Sequence, residues 1–119
     1  MNSKKSTSLK VITLNCWGIP FLSKDRVNRM QAIGQTLTDM NLDLIALQEI
    51  YLESDRNTIV KELNKDRIFH FRYFPSGFMG SGLFILSRYP IVDDHFWPFS
   101  LQGRPSDLLR PDYYASKGL

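Results

Sequence analysis

The sequence predicts an α+β or α/β fold in which a mixed β-sheet is flanked by helices. A segment rich in β-branched residues, 9–15, is followed by a helical repeat of apolar residues and then by a second apolar run at 42–48. Another helical pattern precedes several short strand-like segments. A strand–helix–strand unit followed by a meander is typical of a mixed sheet with helices on one face.

The first two elements follow from their local patterns. Residues 9–15 (LKVITLN) have the composition of a strand, and residues 16–23 hold Gly18 and Pro20, which indicate a loop. Ser23 is the predicted N-cap of the first helix, with Asp25 in its first turn. Apolar residues at helical spacing predict the inward face of this helix: Val27, Met30, Ile33, Leu37 and Met40.

The remaining elements are shorter. Residues 42–48 (LDLIALQ) form a nearly continuous apolar run, which predicts a strand covered on both faces. Residues 54–63 predict a second helix, capped by Ser54 and facing inward with Ile59, Val60 and Leu63. Further strands are predicted at 69–74, 83–87 and 91–96, with a glycine-rich turn at 75–82, a break at Tyr89-Pro90 and a mostly irregular segment at 98–111.

Composition limits the classes of function. The net charge is +3, and the lysines and arginines are scattered among acidic residues rather than clustered, so no nucleic-acid partner is expected. Cys16 is the only cysteine, which excludes an intrachain disulfide and indicates a reducing compartment. Residues 1–8 are polar, predict a disordered tail and lack the apolar region of a secretory signal. No apolar run approaches the length of a membrane span, so any membrane anchor is expected outside this chain.

Two polar residues end the predicted apolar strands. Asn15 ends the first and Glu49 follows the second, and ligands gather at the carboxyl ends of strands in α/β sheets. One carboxylate with few other protein oxygens suits magnesium, which keeps several waters. The spacing equally allows Glu49 to cap the following loop and Asn15 to form an Asx-turn.

Four segments carry a family resemblance. Residues 14–20 (LNCWGIP), 44–49 (LIALQE), 80–91 (with GSGL and SRYPI) and 112–118 (DYYASKG) occur in that order and span nearly the whole chain. Together they resemble the amino-terminal part of magnesium-dependent neutral sphingomyelinases, in the endonuclease/exonuclease/phosphatase, or DNase-I-like, superfamily. The first segment is the most specific, whereas the second is shared by many members of the superfamily.

The resemblance implies a fold, a site and a reaction. Residues 9–119 would form the truncated amino-terminal part of a DNase-I-like four-layer sandwich, two β-sheets flanked by helices. Glu49 would bind Mg²⁺, Asn15 would place the metal or the scissile phosphate, and Asp112 and Lys117 would tune the active geometry. Water would attack phosphorus in sphingomyelin and release ceramide and phosphocholine. Leu109-Arg110-Pro111 departs from the His or Gly that the family often has before this Asp, and proline restricts the local backbone.

Several catalytic groups implied by the family are absent from this sequence. It contains no Gly-Asp to open an Asp-x-Asn motif, and its two histidines, His70 and His95, are predicted to be surface polar residues rather than catalytic ones. We therefore expect the 119-residue chain to be inactive alone. The complete enzyme is expected at the cytoplasmic face of membranes, with sphingomyelin and the membrane surface as partners.

Two other interpretations stay open. One is another hydrolase of the same superfamily, a phosphodiesterase, nuclease or inositol-phosphate phosphatase. The other is a truncated isoform or gene fragment without catalysis.

Overall fold

The computed structural model describes residues 6–77 and 80–98. Within these residues, four strands and two helices occur in chain order: β1 (Val11–Gly18), α1 (Arg26–Asp39), β2 (Leu44–Ile50), α2 (Glu53–Leu63), β3 (His70–Tyr73) and β4 (Phe84–Ser87). The sheet order is β1-β2-β4-β3, with β1 parallel to β2 and β4 antiparallel to both of its neighbours. The predicted mixed sheet is therefore confirmed.

Strand register places one set of apolar side chains on a single face of the sheet. Ile45 lies opposite Leu86 and Leu47 opposite Phe84, and all four side chains are at most 1% exposed. Buried residues of both helices, among them Met30, Leu37, Ile59 and Leu63, belong to the same hydrophobic cluster. The helices thus cover one face of the sheet, as the strand–helix–strand pattern predicts.

A glycine allows the two helices to approach closely. A Cβ atom on Gly34 of α1 would lie 2.9 Å from the Cβ atom of Glu62 on α2. The Glu62 carboxylate accepts hydrogen bonds at 3.0 Å on both of its oxygens from Nζ of Lys65, which lies just beyond the end of α2. The missing side chain at position 34 therefore sets the distance between the helices.

Asp43 links neighbouring segments at the end of the sheet where β2 begins. Its carboxylate accepts hydrogen bonds from the Lys10 backbone N–H at 2.8 Å and from Arg88 at 2.6 Å. The Lys10 hydrogen bond, with a smaller contribution from the Arg88 charge, lowers the pKa of Asp43 below its ordinary value despite burial. The carboxylate consequently stays charged at neutral pH and joins the segments before β1 and after β4.

Three boundary predictions are wrong. β1 continues to Gly18 instead of ending at Asn15, because pairing with β2 resumes beyond an irregularity and sets Gly18 opposite Ile50. Ser23 does not cap α1; the N-cap is Asp25 in a left-handed conformation, and Ser23 Oγ accepts from the Ile19 N–H at 2.8 Å. Helix α2 is likewise preceded by Leu52, without a side-chain cap, rather than by Ser54.

Two further predictions are wrong because the residues concerned lack described neighbouring elements to pack against or pair with. Val27 and Met40 of the predicted inward helix face are 65% and 42% exposed. Residues 91–96 form no strand, because no described segment pairs with them. Arg72 instead donates to the Ile91 carbonyl at 3.4 Å and to the Asp94 carboxylate at 3.1 Å.

Other predictions concern residues only partly described. Of the predicted tail only residues 6–8 are described, so its disorder stays a prediction, as does the irregular segment beyond Pro98. Among the described residues, neither helix has the length and apolar composition needed to cross a bilayer.

Candidate functional site

The carboxyl ends of β1 and β2 lie side by side because the two strands are parallel. Asn15 pairs with Gln48, the residue that precedes Glu49. The two residues that the sequence identifies therefore lie at the same end of the sheet. Glu49 also has a φ angle of 58°, in the left-handed region. This conformation costs about 1–2 kcal/mol for a residue with a Cβ atom, and such strain clusters at functional sites.

Two glycines make room for the backbone of Glu49. A Cβ atom on Gly18 would lie 2.6 Å from the Glu49 carbonyl oxygen, and one on Gly82 would lie 3.3 Å from the Glu49 Cα atom. The next residue, Ile50, donates its N–H to the Gly82 carbonyl at 3.0 Å. The surrounding backbone thus holds Glu49 in its strained conformation from both sides.

The Glu49 side chain is half-buried, and no residue of the described chain forms a hydrogen bond or ion pair with its carboxylate. The described residues also contain no group of three His, Cys, Asp or Glu side chains able to hold a metal. A single partly buried carboxylate does not fit the closed ligand set of structural zinc. It fits magnesium, which one or two carboxylates and several waters commonly bind.

Asn15 forms the Asx-turn that the sequence left open. Its Oδ1 atom accepts a hydrogen bond from the Trp17 N–H at 3.0 Å, and its side chain is exposed. The side-chain NH₂ group has no partner among the described residues. The structural role therefore uses the oxygen of Asn15 and leaves the nitrogen able to donate to a ligand.

Arg29 is a site residue that the sequence patterns do not identify. From the first turn of α1 its guanidinium donates to the backbone carbonyls of Cys16, Trp17 and Lys24. It also lies 5.0 Å from the centroid of the Trp17 ring. The segment after Asn15 is thereby fixed to the helix.

A signal for Arg29 does exist in the sequence. Arg26 and Arg29 both lie in the first turn of α1, which contains no acidic residue. The helix dipole disfavours cations at this end, so two arginines there indicate that each has a specific partner.

Cys16 lies in the same segment but contributes no reactive group. Its side chain is buried, and burial raises the pKa of the thiol to about 12, against an opposing effect of Arg29. The charge of Glu49 raises it further. A thiol that stays protonated at neutral pH is neither a nucleophile nor a metal ligand.

The glycine-rich turn lies beside the site without forming a phosphate cradle. Ser81, between Gly80 and Gly82, is buried and donates its N–H to the Phe74 carbonyl at 3.3 Å. Its hydroxyl accepts the Leu83 N–H at 3.1 Å. The turn therefore serves as a connection between strands, as its composition indicates.

Of the remaining candidate residues, two lie outside the described residues and two lie within them. Asp112 and Lys117 lie outside the described residues, so their roles stay predictions. His95 is exposed and packs on Trp97 with ring centroids 5.5 Å apart, and its neighbour Asp94 pairs with Arg72. His70 pairs with Ser87 across the sheet. Neither histidine has a neighbouring cluster of potential metal ligands in the described part of the chain.

The sheet and its helices match the architecture of a known class. A solved endonuclease/exonuclease/phosphatase family protein from Leptotrichia buccalis C-1013-b superposes with a TM-score of 0.55, covering 76% of this chain and 41% of that one. At 18% sequence identity this likeness establishes the fold, part of a DNase-I-like sandwich. The sequence profile of the Endonuclease/Exonuclease/phosphatase family matches residues 12–118, and the chain belongs to that family.

Curated relatives narrow the resemblance. The inositol phosphosphingolipids phospholipase C of Schizosaccharomyces pombe is 35% identical over 100% of this chain. The putative neutral sphingomyelinase of Drosophila melanogaster is 37% identical over 93% of it, and human sphingomyelin phosphodiesterase 2 is 35% identical over 100%. The chain spans 28%, 25% and 28% of the lengths of these three relatives.

Proposed function

We propose that this chain forms the amino-terminal part of a magnesium-dependent sphingolipid phosphodiesterase and that its substrate is sphingomyelin. The observation that carries the proposal is the half-buried carboxylate of Glu49, without a described partner, in a strained backbone at the carboxyl ends of two parallel strands. Water attacks phosphorus, the bond between phosphorus and the ceramide oxygen breaks, and ceramide and phosphocholine are released.

Each site residue has a role in this reaction. Glu49 holds the magnesium ion, which when bound supplies a Lewis acid for a phosphate oxygen. Asn15 donates from its NH₂ group to a phosphate oxygen, while Arg29 keeps the segment after it in place. Asp112 and Lys117 complete the geometry, as the family resemblance implies.

An aromatic side chain for the choline group is a separate requirement of a sphingomyelin site. Trp17 and Tyr113 are candidates by position, since quaternary ammonium groups bind to aromatic faces. One face of Trp17 already lies against the Arg29 guanidinium, which disfavours a second cation there. Tyr113 is the better candidate for the choline group.

A second candidate substrate is an inositol phosphosphingolipid. It is supported by the matched relatives of Schizosaccharomyces pombe and Saccharomyces cerevisiae, both named inositol phosphosphingolipids phospholipase C. Parallel assays of sphingomyelin, inositol phosphosphingolipid, DNA and an inositol phosphate distinguish the two lipid headgroups from the nuclease and phosphatase alternatives.

The substrate places the enzyme at a membrane, and the single cysteine favours a reducing compartment. We therefore propose that the complete protein acts at the cytoplasmic face of membranes. Fractionation of cells, followed by protease treatment of intact vesicles, tests this assignment. Protection of the protein inside secretory vesicles would contradict it.

The decisive experiment compares variants of the longest natural protein that contains this chain. Glu49→Ala is expected to abolish magnesium-dependent release of phosphocholine, and Glu53→Ala is the matched control because it removes an exposed carboxylate nearby in sequence. Lys117→Ala is expected to lower turnover with little change in thermal stability. Near-normal turnover of Glu49→Ala would overturn the metal assignment.

The 119-residue chain alone provides a further comparison. It is expected to release no phosphocholine, because the loss of a general base typically costs about 10²–10⁴-fold in rate. Magnesium-dependent turnover by the isolated chain would show that the catalytic residues lie within it. Equal inactivity of the longer protein on every phosphodiester would instead support a non-catalytic role.

A further inference from the structure

The connection between β1 and α1 exposes an apolar tip, formed by residues 19–24 and called here the 19–24 loop. Phe21 is 103% exposed and Leu22 is 58% exposed, while Trp17 just before the loop is 44% exposed. Phe21 is the most exposed large apolar side chain among the described residues. Exposing such side chains together is unfavourable in water and marks interaction surfaces.

The 19–24 loop is held in shape by its own hydrogen bonds. Ser23 donates its N–H to the Ile19 carbonyl at 3.0 Å, and Ile19 returns its N–H to Ser23 Oγ at 2.8 Å. Arg29 donates to the carbonyl of Lys24 at 3.2 Å. The tip is thus closed at its base and tied to α1.

Backbone strain accompanies this exposure. Phe21 has a φ angle of 65°, a left-handed conformation that is unfavourable for a bulky residue. No burial of its own side chain compensates for it. A strained and fully exposed aromatic residue in a braced loop indicates an interaction made outside the chain.

The location of the loop is the second argument. It leaves the carboxyl end of β1, the end of the sheet where Gly18 contacts the Glu49 backbone. Asp43 and its partners Lys10 and Arg88 occupy the opposite end. Whatever binds the apolar tip therefore lies on the same side of the molecule as the candidate site.

We propose that the 19–24 loop inserts Phe21 and Leu22 into the interfacial layer of a lipid bilayer and presents the Glu49 end of the sheet to the membrane. This inference rests on the proposed function, in which the substrate is itself a membrane lipid. Aromatic side chains favour the membrane–water interface, and Trp17 lies at the base of the tip. The surface assigned here belongs to the chain itself rather than to a separate anchor.

Charge decides which kind of bilayer the loop fits. Lys24 is exposed beside the tip, where it can reach lipid phosphate, and the adjacent Asp25 balances its charge. The loop therefore matches a zwitterionic surface, and apolar insertion rather than electrostatic attraction provides the binding. Binding is accordingly expected to persist when salt is raised, unlike that of a polybasic segment.

The test measures cosedimentation of the 119-residue chain with phosphatidylcholine vesicles that contain no sphingomyelin. The double variant Phe21→Ser/Leu22→Ser is expected to lower the partition coefficient about tenfold or more. Val92→Ser is the matched control, because Val92 is 96% exposed but lies outside the loop, and its partition coefficient should not change. All variants are checked for unchanged thermal unfolding.

A gain of signal complements the loss of binding. On addition of vesicles the emission of Phe21→Trp should shift further to the blue than that of the wild type, whereas Val92→Trp should shift no further than the wild type, because the native Trp17 and Trp97 emit in every variant. Equal partitioning of the double variant and the wild type, or equal shifts at the two positions, would overturn the inference. A third outcome would also overturn the inference: in the longer protein, Phe21→Ser lowers thermal stability and leaves vesicle binding intact. The loop would then be covered by other parts of the chain.

The two proposals fail separately. Glu49→Ala should bind the vesicles as the wild type does, because the loop does not use that carboxylate. Vesicle binding without any phosphodiesterase activity in the longer protein would remove the proposed function and leave the membrane contact. If the double variant changes neither turnover nor vesicle binding, the membrane contact is contradicted and the proposed function stands.

Discussion

Arg26 Nε lies 2.8 Å from Asp55 Oδ2 and joins the first residue of α1 to the first turn of α2. The two side chains are 22% and 4% exposed. Among the described residues neither atom has a well-aligned hydrogen bond, so the contact is an ion pair held by charge. Burial raises the pKa of Asp55, and the Arg26 charge opposes that rise. The Arg26 charge therefore favours the ionised form of the buried aspartate, and the charges of Arg29 and Arg56 act in the same direction.

Replacing Arg26 alone should destabilise the protein. Arg26→Met is expected to lower the free energy of unfolding by about 2–3 kcal/mol, because it leaves Asp55 buried without its counter-charge. This is less than for a fully buried pair, since Arg26 is partly exposed. Arg26→Met/Asp55→Leu should recover most of the loss, because an apolar pair of similar volume replaces the ion pair. Urea unfolding of the four members of the cycle measures both effects.

The pH dependence of Arg26→Met has a definite sign. A carboxyl with a raised folded-state pKa favours folding below its unfolded pKa of about 3.9, and that contribution is lost as pH rises through the folded value. The destabilisation by Arg26→Met should thus be smallest in acid. Lys65→Met, which removes an exposed partner of Glu62, is the control and should cost about 0–1 kcal/mol. The prediction would be contradicted if Arg26→Met lowered the free energy of unfolding by no more than Lys65→Met does.

Glu49→Gly should separate stability from activity. Glycine adopts the left-handed conformation of position 49 without penalty, so the free energy of unfolding is expected to rise by about 1 kcal/mol. Magnesium-dependent turnover of the longer protein should disappear in the same variant. Glu49→Ala is the matched control, because alanine loses the carboxylate but keeps the Cβ atom. Thermal unfolding that ranks the glycine variant no higher than the alanine variant would show that the backbone is not strained.

Two glycine substitutions should have different effects on function. Gly18→Ala brings a Cβ atom against the Glu49 carbonyl, and Gly34→Ala brings one against the Glu62 side chain. Each is expected to lower the free energy of unfolding by about 1–3 kcal/mol through overpacking. Of the two, Gly18→Ala alone should reduce turnover per folded molecule of the longer protein, because Gly18 lies against the Glu49 backbone and Gly34 does not. Similar turnover in the two variants would show that Gly18 has no role at the candidate site.

Cys16 should be unreactive in the folded protein. With its pKa raised to about 12, the buried thiol remains protonated at neutral and mildly alkaline pH. Its contribution to stability is present below the unfolded pKa of about 8.5 and is lost as pH rises through the folded value. Because Cys16 is the only cysteine, labelling by a thiol-specific disulfide reagent reports on this site alone. Labelling is expected only in denaturant, and rapid labelling of the native chain would contradict the buried position.

The sequence alone predicted the two helices and the four strands in their correct order, together with a strand at 91–96 that does not form, and it proposed where the candidate site lies. Helical and strand periodicities depend on neighbouring residues, so Met30, Leu37, Ile45 and Leu47 could be predicted as buried, and the structure confirms them. The strand–helix–strand connection makes β1 and β2 parallel, and this placed the end of β1 and Glu49 at one edge of the sheet. The first prediction follows from local periodicity and the second from the connection between consecutive elements.

Only the tertiary structure decided how that site is held and which surfaces remain exposed. The left-handed backbone of Glu49 depends on Gly18 and Gly82, which are distant in sequence and meet it only in the folded sheet. The bonds of Arg29 to the segment after Asn15 depend in the same way on where α1 lies. Val27 fits the helical repeat yet is exposed, because a periodic pattern shows which residues share a face and not how far the neighbouring element extends along it. The contacts between distant segments therefore set the conformation at the site, whereas local periodicity set its position.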